Sequence, residues 1–404
     1  MAITKVTTPV TGFESAVDIG LKIPVGTNSN LPSGAEGMIR NDTDEDSGGN
    51  DSTTAITFYN GTNWRYFNSN VSTIPSENFN AVLYTGNGST QTFNVGTVGF
   101  QPDLVWLKQR TGSNANHLVA DTVRGPWKII NPNLAFQTVD RTSVDKTITS
   151  FADGFTVKDT ASGDYECNGT NGGTYSGNGT YVAWCFKAGG AAVANTNGDL
   201  ASQVSVNNNL GFSIVKGSGN GTGVQTVGHG LDAAPEMIII KNIAVSDNWW
   251  VYHSVIGVSQ YLQLNTTSTP LNWSSNMIVN STAIGVRQNS TGPWGNLIAY
   301  CFTSKPGISK IGSYTGNGIN NPENVGFEPA FVMIKNTTSN ASWAMFDNKR
   351  TTANPSTSAL YANEAINEED LQLYFEFTST GFKNLQSSNT LNTSGSIYIY
   401  LAFA

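Results

Sequence analysis

The chain has 404 residues, only 12% of them charged, and a formal net charge of −8. This negative charge comes with no basic block, which argues against a nucleic-acid partner because phosphates would be repelled. No apolar run reaches about 18 residues, so we expect no membrane insertion. Abundant Gly, Ser, Thr and Asn favour strands and turns over amphipathic helices, and the composition therefore predicts an all-β fold.

Residues 1–78 differ in composition from the rest of the chain. The first residues lack the apolar stretch of a secretory signal, so we expect synthesis in a cytoplasm without a signal peptide. Residues 35–67 hold short strand-like segments around an acidic, glycine-rich tip, which predicts a β-hairpin module followed by a linker. The acidic tip begins like a calcium loop, but Ser47 and Thr53 stand where that loop requires Gly and Glu. We therefore predict no metal site.

Three signals recur in the same order along the rest of the chain. YTGNG at 84–88 and 314–318, and GSGNG at 217–221, each precede an apolar run that leads from Pro to Lys. The runs are QPDLVWLK, APEMIIIK and EPAFVMIK, and the closing segments are YVAWCF, LIAYCF and YIYLAF. This order predicts an internal triplication, with repeats at 79–196, 197–307 and 308–404. A further YSGNG at 175–179 lacks the apolar run and is interpreted as a hairpin within the first repeat.

The glycine phrases are not typical of phosphate-binding loops. No Gly-Lys-Ser/Thr follows them, and the chain returns from each turn into strand-like residues. The Pro-to-Lys runs predict strands buried on both faces, so the repeats are expected to be antiparallel β-sandwich-like units. The pattern leaves open whether each repeat closes its own sandwich or pairs with a neighbour. One helix is predicted over 363–374, at the edge of the third sheet.

An acidic and a basic residue recur after two of the runs. Asp121 and Arg124 follow the first run, and Asp347 and Arg350 take the corresponding places after the third. The second repeat has His253 and Ile256 there, and no nucleophile or base recurs beside the pair. We interpret the residues as structural ion pairs, and we predict no catalytic, cofactor-binding or metal-binding residues.

The remaining candidate residues are acidic side chains near the strand starts and three cysteines, and we predict no chemistry for them. Asp103, Glu236 and Glu328 flank the starts of the repeated strands and are interpreted as surface residues. The odd count of three cysteines and the absence of C-x-x-C pairs predict buried thiols rather than disulfides or a zinc site.

The tryptophans of the second repeat are candidate surface or interface aromatics. Trp249, Trp250 and Trp294 could belong to the core, to an interface or to a sugar-stacking platform. Successive side chains of a strand point to opposite faces, so one of Trp249 and Trp250 is expected to face outward or into a neighbouring subunit.

The segments YTGNGSTQTFNVGTVGFQPDLVWLKQR, DTVRG, FADGFTV and GTYVAWCFKAGG resemble a repeat domain of virion structural proteins from tailed phages, especially those of marine cyanobacteria. The N-terminal LKIPVGTNSNLPSGAEGMIRNDT and ITFYNGTNWRYF are similar to segments near the start of phage fibre and appendage proteins. The resemblance implies a non-enzymatic, commonly trimeric virion component and brings no catalytic residues with it.

Together these observations predict a surface fibre or appendage, on the tail, capsid or neck of a virion. Residues 1–78 would dock to other virion proteins, a homotrimer would cover exposed strand edges, and the repeats would contact host-surface carbohydrate. No cofactor is expected. The alternative is a polysaccharide-degrading tailspike that uses pairs of Asp or Glu side chains.

Overall fold

The computed structural model describes four short strands in the N-terminal part and most of the chain from residue 77 onward. The chain divides into two compact units, residues 1–72 and 73–404. The described residues are 25–26, 39–42, 55–59, 64–67 and 77–404, except for 113, 144–145, 160–166, 170–178, 220–223, 274–275, 288–294 and 351–352.

The first unit contains one four-stranded sheet. Its strands are β1 (Val25–Gly26), β2 (Ile39–Asp42), β3 (Ala55–Tyr59) and β4 (Trp64–Phe67), in the order β1-β2-β3-β4. Strands β2 to β4 pair antiparallel, as the predicted hairpin module requires, and β1 pairs with β2 in parallel. The calcium-like acidic run begins at Asp42, the last residue of β2, and the rest of it lies outside the described residues.

The first repeat forms three sheets. Its elements are β5 (Phe79–Thr85), β6 (Thr90–Phe93), α1 (Val95–Val98), β7 (Leu104–Thr111), β8 (Leu118–Asp121), β9 (Lys128–Ile129), β10 (Val139–Asp140), β11 (Lys146–Ser150), β12 (Phe155–Asp159) and β13 (Thr180–Phe186). The main sheet has the order β5-β13-β7-β8, the second sheet has the order β11-β12-β6, and β10 and β9 form a small two-stranded sheet.

The second repeat follows the same plan after two connecting strands. Its elements are β14 (Val193–Asn195), β15 (Ser202–Asn207), β16 (Phe212–Ser218), β17 (Val224–Gly228), β18 (Met237–Asn242), β19 (Trp249–His253), β20 (Gln260–Gln263), β21 (Leu271–Asn272), β22 (Ile278–Val279), β23 (Ala283–Arg287) and β24 (Asn296–Phe302). The main sheet has the order β14-β15-β16-β24-β18-β19-β20-β21, and the second sheet β17-β23-β22.

In the third repeat the two sheets merge. Its elements are β25 (Ser309–Thr315), β26 (Asn321–Asn324), β27 (Phe331–Asn336), β28 (Ala344–Asp347), β29 (Ser356–Tyr361), β30 (Glu369–Thr378), β31 (Gly381–Asn384) and β32 (Ile397–Phe403). They form one eight-stranded sheet in the order β25-β32-β27-β28-β29-β30-β31-β26. All three repeats therefore place the closing strand between the first strand and the Pro-to-Lys strand. The all-β fold class is confirmed.

Each main sheet is apolar on both faces. In the first repeat Val182, Trp184 and Phe186 belong to a core shared by all three repeats, whereas Ala183 and Cys185 face a core private to that repeat. The other repeats alternate in the same way between the shared core and their own cores. The first two repeats therefore close their own sandwiches, the third folds its single sheet around a core of its own, and each repeat also packs against its neighbours. The Pro-to-Lys runs are confirmed as strands buried on both faces.

Equivalent residues of the three repeats meet in the shared core. Phe186, Phe302 and Phe403 end the three closing strands, and the ring centroid of Phe403 lies 5.3 Å from that of Phe186 and 6.0 Å from that of Phe302. A small cavity of about 20 Å³ lies beside them, lined by apolar and aromatic side chains that include Trp184, Tyr300 and Leu401, again from equivalent positions. A cavity with such a lining is expected to stay dry.

The predicted helix over 363–374 is wrong. No helix occurs among its described backbone positions, and strand β30 begins at Glu369. The apolar residues Leu371, Leu373, Phe375 and Phe377 alternate with polar and aromatic ones, a period typical of a strand, and β30 pairs with both β29 and β31. Tertiary pairing thus prevails over the helix-favouring acidic residues at the start of the segment.

The YTGNG segment forms a turn that is hydrogen-bonded to a buried asparagine. In the first repeat Gly88 N donates to Asn168 O (2.8 Å), and in the third Gly318 N donates to Asn392 O (3.0 Å). Both Gly88 and Gly318 have a left-handed backbone, with φ of 67° and 78°, which favours glycine. The phrase is therefore a structural turn that joins the two sheets of a repeat.

Replacing Gly86, the first glycine of YTGNG, with Ala should lower the free energy of unfolding by about 1–3 kcal/mol, the usual cost of overpacking. A Cβ at this position would lie 2.5 Å from Gly169 O and 2.8 Å from Tyr181 Cε2. The control is Gly96→Ala in α1, where the nearest atom to a new Cβ is the side-chain Asn94 Oδ1 at 3.4 Å. Urea unfolding measures both variants, and equal stabilities would contradict the prediction.

Candidate functional site

Three buried lysines link the repeats to one another. They are the lysines that end the Pro-to-Lys runs, and each ammonium group donates to a backbone carbonyl of a different repeat. The bonds are Lys108 Nζ to Ala365 O (3.0 Å), Lys241 Nζ to Ala135 O (3.1 Å) and Lys335 Nζ to Thr267 O (2.9 Å). The first repeat thus binds the third, the second binds the first and the third binds the second. The three interfaces close a ring.

The carbonyls that accept these bonds occupy one equivalent position. The strand pairing places Ile130 opposite Val119, Leu262 opposite Val251 and Leu360 opposite Met345. Each acceptor carbonyl lies five residues after the first-named residue of its pair, at Ala135, Thr267 and Ala365. The ring is therefore built from the same contact three times.

Burial changes the acidity of these lysines. It lowers the pKa of Lys108 to about 7 and the pKa of both Lys241 and Lys335 to about 8. Lysines with a lowered pKa also occur as catalytic groups. Here each side chain is fully enclosed and bonded to two carbonyls, which supports a structural role.

A second contact accompanies each lysine. His117, Trp249 and Trp343 occupy the same position before or at the start of β8, β19 and β28, and each ring donates to a carbonyl of the neighbouring repeat. The bonds are His117 Nε2 to Tyr361 O (2.9 Å), Trp249 Nε1 to Asn131 O (2.9 Å) and Trp343 Nε1 to Gln263 O (3.0 Å). Trp106 Nε1 donates to His117 Nδ1, so the neutral imidazole carries its proton on Nε2.

The Asp and Arg residues singled out from the sequence lie beside each other and reach across two of the interfaces. Arg124 Nε is 2.6 Å from Asp121 Oδ2, and Tyr300 of the second repeat donates its hydroxyl to the same oxygen (2.8 Å). Both side chains of the pair are almost fully buried, so the charges compensate each other in a low-dielectric environment.

The pair in the third repeat repeats this geometry. Arg350 Nε is 2.5 Å from Asp347 Oδ2, and Trp184 of the first repeat donates Nε1 to that oxygen (2.9 Å). At the remaining interface the equivalent positions hold His253 in the second repeat and Leu401 in the third. This interface therefore lacks both the carboxylate and the side-chain donor that bonds to it at the other two interfaces.

The interpretation of Asp103 as a surface residue is wrong. Its side chain is buried, and Asp103 Oδ2 accepts hydrogen bonds from Ala188 N (2.8 Å) and Gly190 N (3.2 Å), in the connector to the second repeat. Glu236, at the equivalent position of the second repeat, is half-buried and accepts a bond from Ser304 N (2.5 Å). The third repeat has Ala330 there, which carries no carboxylate.

The tryptophans of the second repeat have separate environments. Trp249 is only 1% exposed and belongs to the shared core. Trp250 lies on the opposite face of β19 and is half-buried, as the alternation of side chains in a strand requires. Trp294 lies outside the described residues.

Trp250 belongs to an aromatic cluster with Tyr261 and Trp273. The indole rings of Trp250 and Trp273 stack at 4.9 Å with an interplanar angle of 16°, and Tyr261 lies 4.3 Å and 4.4 Å from them. All three side chains are half-buried, and Trp250 Nε1 donates to Asp247 Oδ2 (3.3 Å). Burial, and then the Asp247 carboxylate, raise the pKa of Tyr261. Spacing along the chain does not predict that Tyr261 and Trp273 join Trp250, because strand pairing and a turn bring them together.

Other candidate chemistry is limited in the described part of the chain. Cys167, Cys185 and Cys301 are free and buried, and burial raises the pKa of the Cys301 thiol to about 12. No group of three or more His, Cys, Asp or Glu side chains in the described residues could hold a metal ion. Among the same residues, no helix is long and apolar enough to cross a membrane.

Residues 73–404 are thus an all-β unit of three sandwich-like repeats, and contacts between them close a ring. Residues 74–404 match a family described as a domain of unknown function, DUF7483, and the chain belongs to this family. The match begins next to the boundary of the second compact unit and spans all three repeats. No curated protein and no solved structure matches the chain.

Asp121→Asn should lower the free energy of unfolding by about 3–5 kcal/mol, because the amide keeps an acceptor for Tyr300 but leaves the buried Arg124 charge uncompensated. The matched control is the double variant Asp121→His/Arg124→Ile, which copies the second repeat and removes both charges. It should cost less than the single variant. Urea unfolding compares the two, and a double variant that is the less stable of the two would refute the prediction.

Acid should destabilise the protein between pH 6.5 and 5. Burial lowers the pKa of His117, His229 and His253, the last to about 4. Below pH 6.5 the unfolded chain therefore takes up protons that the folded chain does not. The free energy of unfolding then falls by up to about 1.4 kcal/mol per pH unit for each histidine.

His253→Gln should remove one such contribution. The measurement is the free energy of unfolding at both pH values, and the variant should show a smaller loss than the wild type. An unchanged or steeper loss would contradict the assignment to His253.

Proposed function

We propose that the protein is a non-enzymatic structural component of a tailed-phage virion, a fibre or appendage on its surface. Residues 1–78 dock to other virion proteins, and the ring of repeats faces outward, where it contacts glycans of the host surface. The observation that carries this proposal is that the recurring polar residues hold the three repeats together instead of converging on one accessible site. Lys108, Lys241 and Lys335, which bond across the interfaces between repeats, are examples.

The acidic residues also favour a structural role over a tailspike hydrolase. Glycoside hydrolysis needs two carboxyl groups that flank the substrate. Asp121 and Asp347 are instead buried against arginines, and Asp103 is bonded to backbone amides. Glu368 lies between Arg110 (2.7 Å) and Arg350 (3.2 Å) at the contact of the first and third repeats.

The homotrimer stays a prediction. It rests on the expectation that association covers exposed strand edges. In residues 73–404 the repeats already cover one another around the shared core within one chain. Association of three chains therefore needs a separate basis, and light scattering of the full chain, whose monomer mass is 43.0 kDa, measures it directly.

The proposal is tested on virions purified from an infected culture that carries the gene. We expect the full chain in the particles by mass spectrometry, and a specific antibody should label one position, on the tail, capsid or neck. Cross-linking should join Lys5 or Lys22 to another virion protein, whereas Lys128, which is exposed in the first repeat, serves as the control.

Two results would count against the proposal. The first is a chain that stays in the soluble lysate and is missing from washed particles. The second is the release of new reducing ends from host envelope polysaccharide by the purified full chain, which would favour the tailspike alternative.

A further inference from the structure

The aromatic cluster of Trp250, Tyr261 and Trp273 is a departure from the common plan of the repeats. By strand position, Trp250 corresponds to Leu118 in the first repeat and Ala344 in the third. Tyr261 corresponds to Ile129 and Ala359. These four counterparts are fully buried, with 0% exposure, in the private cores of their repeats. Only the second repeat places large aromatic rings there, and it leaves them half-exposed.

One strand of the second repeat is shorter than its counterparts in the other repeats. In the first repeat β12 pairs with β6 and with β11, which has 5 residues, and in the third β31 pairs with β26 and with β30, which has 10 residues. The corresponding strand β22 of the second repeat has only 2 residues. Among the described residues, the second repeat therefore differs from the others both in this strand and in its half-exposed aromatic rings.

Polar groups surround the rings. The Asp247 carboxylate is half-buried and bonded to the Trp250 indole, and the neighbouring strands carry Gln260 and Asn272, whose side chains are paired at 3.2 Å. The Tyr261 hydroxyl has no hydrogen-bond partner among the described residues, so it can donate to a ligand. Aromatic faces beside a carboxylate, a hydroxyl and amides are a chemistry that suits a ligand with both apolar and hydroxylated sides.

We infer that this cluster binds an uncharged pyranose unit of a polysaccharide, an inference that rests on the proposed contact with host glycans. A pyranose ring offers an apolar C–H face to the aromatic rings, and its hydroxyl groups bond to Asp247 and Tyr261. Three rings are too few for a protein interface, which buries about 800 Å² on each partner. The Asp247 carboxylate and the net charge of −8 disfavour acidic sugars.

Affinity electrophoresis of the full chain tests the inference, with mannan, dextran, galactan and laminarin as neutral polymers and alginate as the acidic one. At least one neutral polymer should retard the wild type, and alginate should not. Trp273→Ala should weaken that binding roughly 30-fold, as expected for a central aromatic contact. Tyr261→Phe, which keeps the ring and the packing, should weaken it about two- to tenfold through the lost hydroxyl.

The matched control is Trp127→Ala, which removes a half-buried tryptophan of the first repeat and should leave binding unchanged. Retardation by no neutral polymer, preference for alginate, or equal binding by wild type and Tyr261→Phe overturns the inference. The virion experiment is independent of this one. A chain that is present in particles but binds no neutral polymer refutes the sugar site alone, and a chain that binds but is absent from particles refutes the virion assignment alone.

Discussion

The organisation of residues 73–404 depends on one constraint, which is that each main sheet is apolar on both faces. A sheet of this kind must be covered twice, because each exposed apolar face costs free energy in proportion to its area. Within each repeat the remaining strands cover one face, and among the described residues the other face packs against the main sheets of the other repeats. Three such faces bury one another in the shared core, to which Phe186, Phe302 and Phe403 contribute.

Apolar packing alone does not orient neighbouring repeats, since it has no direction. The polar contacts do, because each repeat uses one lysine and one ring donor to bind the same two carbonyl positions of its neighbour. A buried ammonium group that lost its carbonyls would be left unpaired in a low-dielectric region, at a cost of a few kcal/mol. Lys108, Lys241 and Lys335 thus give every interface the same head-to-tail orientation.

The sequence predicts the parts of this structure that rest on local pattern. The triplication, the strands buried on both faces and the partnership of Asp121 with Arg124 follow from spacing and residue type. The shared core does not, because an apolar run buried on both faces does not reveal which partner covers each face. The same limit explains Asp103, whose amide partners in the connector lie 85 and 87 positions along the chain, and the segment 363–374, where strand pairing decided the structure.

Comparison of the three copies separates what the ring requires from what one repeat adds. Contacts that occur in every copy, such as the lysine bonds, serve closure and cannot distinguish the repeats. The carboxylate of Asp103 and Glu236 has no counterpart in the third repeat, where Ala330 stands, so this contact is not required to close the ring. By the same reasoning, the aromatic rings of Trp250, Tyr261 and Trp273 do not serve closure. This half-exposed aromatic cluster occurs only in the second repeat, so it distinguishes the surface of that repeat from the surfaces of the other two.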